Sequence, residues 1–109
     1  MATHEYLEQA IPQKIYYTSA ATTGNTLVAY NNYTTDTTSA AYSVSLPASP
    51  SVGAHIRVMD AAGTWATYNL TVQRNSEKIA GATSDLVCNV NNGIVNLIYS
   101  GSTVGWLVK

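Results

Sequence analysis

From Ile15 onward, apolar and polar residues alternate with a period of two, the spacing of strands with one buried face and one wet face. Ile15-Tyr16-Tyr17 begins a strand, Thr22-Thr23-Gly24-Asn25 supplies turn chemistry, and Thr26 to Tyr33 reads as a second strand. The polar stretch Asn31 to Ser39 reads as a loop. Tyr42, Val44 and Leu46 alternate with Ser43 and Ser45, and Pro47 and Pro50 end that strand. Ile56 and Val58 alternate with His55, Arg57 and Met59, and Asp60-Ala61-Ala62-Gly63 has the residues of a type I turn leading into a hairpin partner. In that partner Tyr68, Leu70 and Val72 alternate with Asn69, Thr71 and Gln73, and Asn75 and Ser76 punctuate it.

Lys78-Ile79-Ala80 reads as a short strand closed by Gly81, and Leu86, Cys88 and Val90 share one face of another. Asn91-Asn92-Gly93 predicts a type I′ hairpin, because both central positions of that turn take positive φ. Val95, Leu97 and Tyr99 continue the pattern, Ser100-Gly101-Ser102 turns it, and Val104 to Val108 closes it. Eight or nine short strands with frequent turns predict an all-β, antiparallel β-sandwich of jelly-roll-like topology over residues 14–109. Residues 1–13, stopped by Pro12, read as an N-terminal arm or a single helical turn ahead of that one domain.

Composition strengthens the β reading. The 109 residues include 14 Thr, 10 Ser, 9 Asn and 8 Tyr, and only 10% are charged. Polarity therefore comes from hydroxyls and amides, and β-branched Thr with Tyr suits a pleated surface better than a helix.

Charge and apolar spacing narrow the partners. A formal charge of −1 with scattered cations offers no basic footprint for nucleic acid. No apolar run is long enough for a membrane span, and residues 1–10 lack the pattern of a secretory signal, so the expectation is a soluble, unprocessed chain made in a reducing cytoplasm. One cysteine, Cys88, cannot form an internal disulfide and reads as a small buried hydrophobe on its strand.

Little in the chain is suited to catalysis. Cys88 has no nearby His or second Cys, and His4 and His55, one in the arm and one in a strand, read as structural or surface residues, so neither a metal nor a cofactor is expected. Asp36, Asp60, Glu77 and Asp85 sit at loops, turns and strand ends, where carboxylates serve turn geometry and solvation. No nucleophile elbow or phosphate loop is present, and the expectation is a protein without enzymatic activity. The sequons at Asn32-Tyr33-Thr34 and Asn69-Leu70-Thr71 read as accidents of a Thr- and Asn-rich chain. Trp65 has two readings, a core aromatic or a platform for a sugar or partner, while Trp106, alternating with Val104 and Val108, reads as core.

Several of these residues also carry a resemblance. Pro50-Ser51-Val52-Gly53, Ile56-Arg57-Val58-Met59-Asp60, Gly63, Asn69-Leu70-Thr71-Val72, Ile79-Ala80-Gly81, Tyr99-Ser100-Gly101-Ser102 and Gly105-Trp106 resemble a module of tailed-bacteriophage virion proteins. That module recurs in capsid decoration proteins and at the ends of tail or head fibres. The resemblance spans about half of the chain and implies a β-sandwich with no catalytic residues. The small size and short arm look similar to jelly-roll cement proteins, which bind the outside of the phage head and bridge subunits of the major capsid protein.

The expectation is therefore a structural virion protein on the capsid surface. The alternative is a fibre-tip module that binds a host-surface carbohydrate or receptor. The arm residues Tyr6, Leu7 and Ile11, together with Trp65, are the expected capsid or subunit contacts. Sparse charge at the strand edges implies a homo-oligomer, a dimer ahead of a trimer.

Overall fold

The computed structural model describes residues 17–109, Tyr17 by its backbone only. The expected arm, with Tyr6, Leu7 and Ile11, and the predicted strand start at Ile15 and Tyr16 lie outside the described residues.

Eight strands and no helix are found among the described residues: β1 (Tyr17–Ala20), β2 (Asn31–Thr35), β3 (Tyr42–Ser45), β4 (His55–Asp60), β5 (Leu70–Gln73), β6 (Leu86–Cys88), β7 (Ile94–Tyr99) and β8 (Trp106–Val108). They form two sheets, one ordered β1-β2-β4-β7-β8 and the other β3-β5-β6. The alternation seen in the sequence is the alternation of the strand faces. In β4, for example, Ile56, Val58 and Asp60 point into the sandwich while His55, Arg57 and Met59 are half-buried on its outer side.

The expected all-β, two-sheet architecture is present, but the antiparallel detail is not. β1 with β2, β2 with β4 and β3 with β5 are parallel pairs, while β4 with β7, β5 with β6 and β7 with β8 are antiparallel. A jelly roll is assembled from antiparallel strands, so these mixed sheets do not follow that topology. The cause lies in how the chain travels. From β2 to β5 it changes sheet at every step, and two successive crossings return it beside its starting strand in the original direction. Thr26 extends this winding with a parallel bridge to Ser45.

Several local expectations change accordingly. Asn31–Thr35, read as a loop start, is β2, because Tyr33 and Thr35 are buried on its inner side. The stretch before it is broken at Tyr30, which has φ 69°, and is not one continuous strand. Asp60–Gly63 is no hairpin, since β4 and β5 belong to different sheets. Lys78–Ala80 contributes only isolated bridges at Ile79.

The Asn-Gly turn also differs: Asn92 has φ 62°, but Gly93 is not in the left-handed region, and the turn joins two sheets. Gly93 is required for packing instead, as a Cβ there would meet the Trp65 ring and the Val90 carbonyl, both at 2.9 Å.

The core between the sheets contains Leu27, Val44, Leu46, Ile56, Val58, Leu70, Val72 and Leu97, with Trp65 and Trp106 as its largest members. Apolar burial of this kind contributes roughly 25 cal/mol per Å² removed from water, so these two indoles weigh heavily in the fold.

Candidate functional site

Asp60 closes β4 and organises the segment that follows. Its Oδ1 accepts from the backbone N–H groups of Gly63 (2.9 Å) and Thr64 (3.2 Å), and its Oδ2 from those of Trp65 (3.1 Å) and Asn92 (2.9 Å). Burial pushes this carboxyl up, but the donors on Trp65, Asn92, Thr64 and Gly63 outweigh it and hold its pKa below the ordinary value. One carboxylate thus ties the loop after β4 to the turn before β7. Its coordination leaves it a structural group, which is the turn role its position predicts.

The same loop directs Trp65 inward. The ring is 1% exposed, and its Nε1 donates to Thr35 Oγ1 at 2.9 Å. Trp65 is therefore a core aromatic with almost no ring surface to offer a sugar or a partner, which corrects its expected place as an exposed platform, although its edge borders the groove between β6 and β7. Trp106 is also fully buried and meets Tyr99 edge-on, with centroids 5.4 Å apart.

The other described carboxylates have local partners. Asp36 Oδ1 accepts from Thr38 N–H at 2.9 Å, Glu77 Oε1 from the Tyr99 hydroxyl at 2.7 Å and Asp85 Oδ1 from Arg74 N–H at 2.9 Å. Among the described residues no group of three or more His, Cys, Asp or Glu side chains is placed to hold a metal ion. Cys88 is buried, and that burial pushes its thiol up to about 11. Its predicted role as a small apolar residue agrees with this placement, because thiol reactivity requires the thiolate.

The described residues form concave surfaces at two places of note. The first is an apolar groove of about 300 Å³ at the passage from β6 to β7, lined among others by Trp65, Leu86, Val87, Val90, Ile94 and Val95. Val87, Val90 and Ile94 are 52%, 67% and 57% exposed. None of the groove-lining residues is charged. Sequence reasoning missed this surface because Val90 continues the alternation of Leu86 and Cys88, whereas the strand stops at Cys88 and leaves Val90 outside.

The second is a cleft of about 500 Å³ bordered by Ala21, Thr22, Thr34, Asp36, Tyr42 and Ala61, among others. Tyr42 is held rigidly there, its hydroxyl donating to Ala21 O at 2.7 Å and accepting from Asp36 N–H at 3.2 Å. The Thr38 side chain and then its N–H hold Asp36 below the usual carboxylate range. Asp36 thus brings an ionised acceptor to the cleft rim.

Compared with known proteins, the chain matches no family model and no curated protein sequence.

Proposed function

We propose that the protein is a structural virion component, a decoration or cement protein that binds the outside of a phage head and bridges subunits of the major capsid protein. The observation that carries this reading is the uncharged groove of Val87, Val90 and Ile94, an apolar concavity suited to protein contact. The resemblance carried by Pro50 to Trp106 supports it, as does a surface rich in hydroxyls and amides whose described carboxylates have partners within the fold. The mechanism is mechanical: each bound copy adds buried area and hydrogen bonds across a subunit boundary, and many copies resist outward pressure together.

Mixing the purified chain with heads stripped of it, followed by sedimentation, tests the reading. Saturable co-sedimentation is expected. Chain left in the supernatant, or immunogold label confined to virion tails, overturns it.

The cleft beside Tyr42 favours a second reading, a fibre-tip module that binds host-surface carbohydrate. A fixed aromatic ring, the exposed apolar Ala20 and Ala61 and the Asp36 carboxylate offer a sugar both a C–H face and a hydroxyl acceptor. A glycan array probed with the native chain and with Asp36→Asn tests it. Sugar binding that Asp36→Asn weakens supports this reading, and an array without signal removes it.

A further inference from the structure

We propose that the outer face of the five-stranded sheet docks a carboxylate-bearing surface of another protein, with Arg57 as the residue that receives the carboxylate. This deepens the decoration reading and takes from it only the identity of that protein, a capsid subunit.

Arg57 stands at the centre of the face. β4 is the middle strand of the order β1-β2-β4-β7-β8, and Arg57 is in register with Asn32 on β2 and Asn96 on β7. Its Nε donates to Asn96 Oδ1 at 2.8 Å, and Asn96 is itself fastened to Lys109 by backbone bonds of 2.8 and 3.2 Å. The guanidinium is thus held in place through Nε, while its Nη groups have no hydrogen-bond or ion-pair partner among the described residues. Arg74 differs, because its Nη1 donates to Glu77 O at 3.0 Å within its own turn. A fixed guanidinium with its terminal donors open matches the two oxygens of a carboxylate.

The face carries no acid of its own to answer Arg57. No outward strand position of β1, β2, β4, β7 or β8 is Asp or Glu. Asp60 points into the sandwich, Asp36 lies beyond the end of β2 and accepts from Thr38, and Glu77 and Asp85 accept from Tyr99 and Arg74. All four described carboxylates thus accept hydrogen bonds within the fold, which favours a different protein over a second copy as the source. Arg57 is half-buried, and a charge drawn partly out of water without a counter-ion is costly. A carboxylate arriving from outside removes that cost.

The surroundings select a protein. Met59, Ile98 and Leu107 are half-buried on the same outer side, and a guanidinium among apolar contacts that keep water out has the anatomy of an interface hot spot. Asn32 Oδ1 and His55 Nε2, on β2 and β4 beside Arg57, are covered and have no hydrogen-bond partner. Such atoms are rare where a surface is complete, and here they adjoin the unpaired guanidinium. A nucleic-acid backbone fits less well, since it takes several cations and this row offers Arg57 with Lys109 at its end.

NMR of the full chain, titrated with the capped peptide Leu-Glu-Gly-Glu-Leu and with its counterpart carrying Gln for Glu, tests this. The Arg57 Nε–Hε and Asn96 side-chain signals should shift saturably with the Glu peptide, and the Gln peptide should bind at least about tenfold more weakly. Arg57→Gln should weaken binding of the Glu peptide at least about tenfold, and Arg57→Lys, which keeps the charge without the fork, should recover only part. No shift, or equal shifts with both peptides, overturns the proposal. Inorganic phosphate acting at lower concentration than the Glu peptide overturns the choice of a protein carboxylate. Sedimentation that finds the native chain self-associating and Arg57→Gln monomeric overturns the choice of a different protein in favour of a second copy. In co-sedimentation with stripped heads, Arg57→Gln should bind at least about tenfold more weakly than the native chain. Equal binding overturns the capsid subunit as partner. A native chain that ignores heads while the Glu peptide still docks at Arg57 overturns the decoration reading alone.

Discussion

Trp65 Nε1 donates to Thr35 Oγ1 at 2.9 Å, and that hydroxyl donates onward to Met59 O at 2.8 Å, so a buried relay joins the loop after β4 to β2 and back to β4 itself. Thr35 is 2% exposed and Trp65 1%, and no solvent is at hand to replace either bond. Thr35→Val keeps the shape and removes the hydroxyl, which leaves the indole N–H without an acceptor. The expected loss is about 1–3 kcal/mol in urea unfolding, and Thr35→Ser should recover most of it. Trp65→Ala, which also opens a cavity, should cost about 3–5 kcal/mol.

Asp60 makes stability depend on acid pH. Its folded pKa lies below the ordinary carboxylate value because four N–H donors favour the ionised form. A depressed pKa contributes stability that is fully present above the unfolded value, about 3.9, and is lost as pH falls through the lower folded value. Asp60→Asn turns acceptor-only oxygens into one acceptor and one donor, so it should destabilise by about 2–3 kcal/mol at pH 7. The gap between native and variant, followed by denaturant midpoints, should narrow below about pH 4. A gap constant down to pH 2 contradicts this account.

Cys88 should resist thiol reagents in the folded protein. Burial raises its pKa to about 11, so at pH 8 the thiolate is scarce as well as shielded. Alkylation by iodoacetamide is expected to be slow in buffer and to become fast above the unfolding midpoint in urea. Rapid labelling in buffer would show that β6 opens without global unfolding.

The strands were legible where alternation was long and one-sided, as in β4 and at Leu70 and Val72, because a half-buried strand imposes period two on its sequence. Direction and sheet membership were not legible. Asp60 to Gly63 has the residues of a tight turn, yet the Asp60 carboxylate collects donors as far away as Asn92 and sends the chain across the sandwich. That outcome depends on residues 32 positions apart, a separation that no local pattern encodes. Trp65 shows the same limit, since its burial follows from Thr35 and Gly93. The groove escaped notice for the converse reason: Val90 obeys the strand pattern after the strand has ended.

Gly105 should be the least replaceable glycine. It has φ +80° and packs against the Lys78 backbone so closely that a Cβ would overlap the Lys78 carbonyl. Next to it, Trp106 N–H donates to Lys78 O at 2.8 Å and Ala80 N–H donates to Trp106 O at 2.7 Å, the bonds that fasten the Ile79 segment along β8. Gly105→Ala therefore adds steric overlap to the left-handed backbone cost and pulls on Trp106, which is fully buried. Gly24, with φ +79° and open space around its Cα, separates the two effects. Gly24→Ala should cost only the backbone term, about 1–2 kcal/mol, whereas Gly105→Ala should exceed about 3 kcal/mol or prevent folding. Thermal melts followed by tryptophan fluorescence, with the Gly24 variant as reference, read the difference, and equal losses would mean that Lys78 moves aside.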